Sequence, residues 1–134
     1  MIDHLSIGVS DFALSLAFYD TVLAELGFKR CMDIEFDGIK AAGYGSDSDT
    51  EPPFWIGHKN ELPTAVTPSA GFHIAFQATT RTAVDAFYAA AIAAGATDNG
   101  QPGLRPQYHP NYYAAFVLDP DGYNIEAVCH QPQP

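Results

Sequence analysis

The chain has 134 residues and a formal charge of −10, from six Lys+Arg against sixteen Asp+Glu. Apolar residues make up 47% and charged residues 16%, which excludes a disordered chain and allows one core-forming domain. The acidity argues against nucleic acid and anionic membrane as partners, since both need a basic face, and no apolar run approaches the roughly 20 residues that span a bilayer.

The start, Met1-Ile2-Asp3-His4, has no basic region followed by an apolar stretch, so no signal peptide is expected. Cys31 and Cys129 lie far apart, and are expected as two buried thiols of a cytoplasmic protein rather than as a disulfide.

His4–Val9 reads as a strand. Ser10 or Asp11 then caps a helix whose stripe is Leu16, Tyr19, Leu23 and Leu26, and Gly27 stops it. Phe28–Glu35, Ile39–Tyr44 and Phe54–Gly57 complete a first set of strands. A linker is expected near Pro63–Ser69. Gly71–Ala78 opens a second set. Thr79 or Thr80 caps a helix with the stripe Val84, Phe87, Ala91 and Ala94, stopped by Gly95. A weakly marked strand falls within Gly103–Tyr108. Tyr112–Leu118 and Tyr123–Cys129 flank Asp119-Pro120-Asp121-Gly122, a type I turn signal that makes them a hairpin.

The two halves match. A shift of 69 residues puts His4-Leu5-Ser6-Ile7 against His73-Ile74-Ala75-Phe76 and Phe18-Tyr19 against Phe87-Tyr88. Each half is a strand, a helix and three strands. The expected class is α+β: two tandem βαβββ modules, residues 1–62 and 70–131, forming a curved mixed sheet with helices on its outer face and folding as one domain.

Side chains alternate across a strand. His4 shares a face with Ser6 and Gly8, His73 with Ala75 and Gln77, and Glu126 with Asn124, Val128 and His130. These faces are small or polar, and the opposite ones are apolar. A single strand histidine is usually a hydrogen-bonded core or surface residue. Glu126, however, interrupts an apolar run, where a lone carboxylate is costly. Two histidines and a carboxylate with open positions form a facial triad suited to Fe, Mn, Ni or Zn.

The βαβββ repeat, the histidines opening the first strand of each half, and Asp119-Pro120-Asp121-Gly122 followed by Ile125-Glu126 resemble the glyoxalase/bleomycin-resistance/dioxygenase (vicinal oxygen chelate) superfamily. The likeness covers nearly the whole chain. It implies two modules enclosing a cleft, with a divalent metal ion held by His4, His73 and Glu126. One departure stands out. Glyoxalase I-type members carry a fourth ligand, usually Glu, in the last strand of the first module. Here that place falls near Gly57, or on Trp55 or Ile56, none of which ligates through its side chain.

A dication with one carboxylate favours a small substrate with adjacent oxygens, one of them anionic. Arg105-Pro106-Gln107-Tyr108-His109-Pro110-Asn111-Tyr112-Tyr113 is the expected pocket wall, with Arg105, Tyr112 and Trp55 as substrate contacts. Glu126, His109 and Tyr113 are the expected proton-moving residues. The favoured reading is a metal-dependent enzyme of lyase or isomerase type. The alternatives are an extradiol-type dioxygenase and a non-catalytic small-molecule binder of resistance type, with a metal-free pairing of His and Glu as a third possibility. The resemblance also implies a homodimer in which His4 comes from one subunit and His73 with Glu126 from the other.

Overall fold

The computed structural model describes residues 1–60 and 68–133. The elements run β1 (Leu5–Gly8), α1 (Phe12–Ala24), β2 (Lys29–Phe36), β3 (Ile39–Gly45) and β4 (Phe54–Lys59). They continue with β5 (His73–Gln77), α2 (Arg81–Ala93), β6 (Thr97–Leu104), β7 (Tyr113–Leu118) and β8 (Asn124–Cys129). Of the expected linker, only Pro68 and Ser69 lie within the described residues.

The strands form two four-stranded mixed sheets of identical plan, β1-β4-β3-β2 and β5-β8-β7-β6. In each, the first strand pairs in parallel with the fourth and the other pairs are antiparallel. The first strand cannot pair antiparallel with its successor, because a helix lies between them and returns the chain in the original direction.

The helices start and stop on local signals. Asp11 caps α1 by accepting from the Leu14 N–H at 3.1 Å, and Thr80 caps α2 by accepting from the Ala83 N–H at 3.1 Å. Gly27 (φ 84°) and Gly95 (φ 95°) adopt the left-handed conformation that ends each helix. In α1 the buried face is broader than the expected stripe: Ser15, Phe18 and Val22 join Tyr19 and Leu23. In α2 the stripe ends at Ala91, and Ala94 is exposed because it is the C-cap.

Three expectations need correction. The strand placed within Gly103–Tyr108 runs instead over Thr97–Leu104. This segment, TDNGQPGL, lacks apolar alternation. It pairs with β7 as an edge strand, with register shifts between Asp98 and Gly100 and between Gly100 and Gly103, so Pro102 is tolerated there. Cys31 is exposed rather than buried, since it lies on edge strand β2 at the irregularity between Arg30 and Met32; Cys129 is buried, and both thiols are free. Finally, the first strand begins at Leu5, so His4 immediately precedes it rather than opening it; β1 and β5 are edge strands, whereas β8 is interior.

One apolar core serves both modules. Helices α1 and α2 pack together. The Phe76 ring stands edge-on to Phe54, with centroids 5.0 Å apart, and lies 6.5 Å from Phe28. The turn after β7 adds polar ties: Tyr19 donates to Asp119 Oδ2 at 2.5 Å, Tyr123 donates to the Gly8 carbonyl at 2.8 Å, and Ser10 donates to Asp121. With the helix side of both sheets consumed by this core, their opposite faces are left open. No helix among the described residues is long and apolar enough to cross a membrane.

Candidate functional site

On β8, Ile125, Ala127 and Cys129 are buried in the core. Alternation sends Asn124, Glu126 and Val128 to the open face. Parallel pairing sets His73 beside Asn124 and Ala75 beside Glu126, while antiparallel pairing sets Phe116 beside Glu126. Glu126 is only 1% exposed. Its Oε1 lies 3.4 Å from His73 Nε2, and its Oε2 accepts the Tyr112 hydroxyl. No Lys or Arg pairs with it among the described residues.

Glu126, His73 and Asn124 floor a cleft of about 590 Å³. Its walls are Phe116 from β7 and Tyr108, His109 and Tyr112 from the connection between β6 and β7. That connection is a closed loop: the Arg105 N–H donates to the Tyr112 carbonyl at 2.7 Å, and the Tyr108 N–H to the Arg105 carbonyl at 3.0 Å. Burial, then the neighbouring Glu126 carboxylate, hold the Tyr112 hydroxyl well above the ordinary tyrosine pKa, so it remains a donor at neutral pH.

The structure divides the residues singled out by sequence. His73, Glu126, Tyr112 and His109 meet at the cleft. Tyr113 does not join them. One residue on from Tyr112, it faces α2, donates to Asp85 Oδ1 at 2.6 Å and carries the Arg81 guanidinium 5.3 Å above its ring. The bond to Asp85 is the main cause that raises its pKa. Arg105 folds back on the Gly103 and Gln101 carbonyls at 2.9 and 2.8 Å, over the Phe116 ring, and so supports the wall from behind.

His109 lines the cleft with both nitrogens engaged. Nδ1 accepts the Asn111 N–H at 3.1 Å, and Nε2 lies 2.8 Å from His130 Nδ1. Neither nitrogen is free to act as a base in this geometry. His130 was not singled out from sequence, although the alternation through Asn124, Glu126 and Val128 places it on the cleft face.

Trp55 belongs to the other sheet, and His4 immediately precedes that sheet's first strand. His4 is exposed and bonded to Asp3 Oδ1 at 2.6 Å. It does not meet His73 and Glu126 within the chain, and no group of three metal-binding side chains converges among the described residues. Trp55 pairs with Ser6 across the parallel β1–β4 ladder and lies over Gly43, where an added Cβ would come 2.9 Å from Trp55 Cζ2. Its Nε1 donates to the Pro52 carbonyl at 2.9 Å. His58 lies on the core side of β4 and contacts the Val9 carbonyl at 2.9 Å.

The family model for the "Glyoxalase/Bleomycin resistance protein/Dioxygenase superfamily" matches residues 1–127. The chain belongs to this superfamily. It is similar to a crystal structure of a glyoxalase/bleomycin resistance protein from Albidiferax ferrireducens T118, with 31% identity, coverage of 97% of this chain and 98% of that one, and a TM-score of 0.72. A glyoxylase/bleomycin resistance protein/dioxygenase domain from Frankia sp. EAN1pec shares the fold at 18% identity, 98% coverage of both chains and a TM-score of 0.74. So does a glyoxalase I mutant from Zea mays, at 22% identity and a TM-score of 0.76, with 95% of this chain covering 45% of that one. No curated protein matches the chain.

Superfamily members include metal enzymes, and the residues at the cleft floor suit a divalent ion. A buried carboxylate without a cationic side-chain partner faces an imidazole nitrogen, and this O,N donor pair fits Fe, Mn, Ni or Zn.

Proposed function

We propose that this superfamily member is a divalent-metal-dependent enzyme of lyase or isomerase type, acting on a small substrate with adjacent oxygens. The observation that carries the reading is Glu126: a carboxylate 1% exposed, set in an apolar strand, meeting His73 at the base of an open cleft. Such burial is unfavourable for a charge unless something positive shares it. When bound, a metal ion would supply electrophilic polarisation of substrate oxygens.

His73 and Glu126 supply two donors. His4 of a second copy would supply the third. On the first sheet's open face, Ser6, Gly8 and Trp55 lie toward the β1 edge, next to His4, and exposed Met32 and Phe36 lie on the opposite edge strand β2; a second copy would cover this face. Phe116, Tyr108 and Tyr112 give the cleft aromatic walls, and Asn124 adds a polar contact at the floor. Tyr112 donates to Glu126 Oε2 and so fixes the orientation of the carboxylate.

Metal analysis of untagged protein is the test. One ion per chain is expected, and Glu126→Gln should remain folded while losing both the ion and turnover. A metal-free wild type that gains none from micromolar Fe, Mn, Ni or Zn would overturn the proposal.

A further inference from the structure

His109 Nδ1 accepts the Asn111 N–H at 3.1 Å, so that nitrogen carries no proton while the bond stands. The proton of a neutral His109 is then on Nε2, which points at His130 Nδ1 over 2.8 Å. The rings are tilted by 25° with centroids 5.1 Å apart, consistent with an in-line imidazole–imidazole hydrogen bond. His130 must therefore offer a bare Nδ1. While both bonds stand, each ring carries its proton on Nε2.

We infer that His109 and His130 form a proton-sensitive latch that fastens the Arg105–Tyr112 loop to the end of β8 and so holds the cleft wall in place. The loop is tied at its base by the Arg105–Tyr112 backbone bond, and near its tip by this pair. A proton added to His130 Nδ1 sets two N–H groups head to head. If His109 instead accepts from a charged His130, its own proton must move to Nδ1, where it faces the Asn111 N–H. Either way, one of the two bonds at the loop tip is lost. Imidazole is the side chain that ordinarily changes charge between about pH 5 and pH 8.

The groups facing the pair do not replace what is lost. Tyr112 packs edge-on against both rings, but its hydroxyl is committed to Glu126. Tyr108 stacks at a tilt on Tyr112. Arg105, on the same loop, is turned onto the Gly103 and Gln101 carbonyls. From β5, His73 faces Glu126. The inference that release of this latch exposes the reaction centre rests on the proposed function; the latch itself does not.

The test is nitrogen-15 NMR of the histidine rings, with amide hydrogen exchange of the loop, on the full chain without substrate. At about pH 8, both rings should show the Nε2–H form. After correction for intrinsic exchange rates, protection of the Asn111 amide should fall at least about tenfold on going to about pH 5. His130→Phe keeps an aromatic ring against Tyr112 and removes the acceptor. In it, Asn111 should be weakly protected at both pH values. An Nδ1–H form of either ring at about pH 8, unchanged protection across the range, or the same pH response in His130→Phe would overturn the latch. The ring spectra of the wild type decide the matter even if that variant does not fold. Loss of turnover in Glu126→Gln with an intact loop response would separate the two proposals.

Discussion

Trp55 occupies in the first module the place that Glu126 occupies in the second. Trp55 pairs with Ser6 and Glu126 with Ala75, and Ser6 and Ala75 each stand two residues after the histidine that opens their half. The indole therefore fills the position where a glyoxalase I-type fourth carboxylate is expected. It is stacked on Gly43 and held by Pro52, so its orientation is fixed by its own sheet.

Trp55→Glu should accordingly add a ligand to the proposed metal site. Metal affinity is expected to rise by about tenfold or more. Stability should drop by about 2 kcal/mol, since the aromatic contacts over Gly43 and Pro52 are lost. Titration with Ni or Zn and thermal unfolding read the two effects separately. An affinity equal to that of the wild type would place Trp55 away from the ion.

Tyr112→Phe removes the hydroxyl that Glu126 Oε2 accepts. The carboxylate loses its orienting donor, and metal affinity is expected to weaken about 10- to 100-fold. The fold should survive, because the ring and its packing on Tyr108 remain. Tyr113→Phe serves as the contrast: it breaks the Asp85 bond on the helix side and should leave metal affinity alone.

Tyr19 predicts the alkaline behaviour. Burial, then Asp119, raise its pKa well above the ordinary 10.0. Above about pH 10 the unfolded chain releases this proton and the folded chain retains it, so stability falls as pH rises. Tyr19→Phe should flatten that slope while costing about 1–3 kcal/mol at neutral pH, because the buried Asp119 loses a donor. Thermal unfolding between about pH 8 and pH 11 checks the sign; an unchanged slope in the variant would assign it to other tyrosines.

Mixing tests the shared site. His4→Ala and Glu126→Ala are each expected to be inactive alone. After subunit exchange, a mixed dimer should regain one intact site and part of the activity. Sedimentation at micromolar concentration should show a dimer. A monomer, or no recovery despite proven exchange, would refute an arrangement shared between copies.

Much of this was legible in the sequence because it is written locally. Asp11 and Thr80 cap, Gly27 and Gly95 stop, and Asp119-Pro120-Asp121-Gly122 turns the chain, each through its immediate neighbours. Alternation alone placed Glu126 opposite the core. β6 escaped because TDNGQPGL carries no apolar period; its strand conformation comes from pairing along β7, which is a property of the sheet. Cys31 was misjudged for a related reason, since a residue's exposure depends on whether its strand lies at an edge.

The site shows the same division. Residue type and period bring His73 and Glu126 to one face, and a repeat matches His4 to His73. Which tyrosine reaches Glu126 was decided by the register at the start of β7: Tyr112 points into the cleft and its neighbour Tyr113 points to α2. That β1 and β5 are separate edges, and that His4 stands away from Glu126, depends on how two packed helices join the sheets. Likewise, no spacing in the chain links His109 to His130. Their contact exists because a loop closed at Arg105 and Tyr112 folds against the end of a strand, and only the tertiary structure sets those two imidazoles nitrogen to nitrogen.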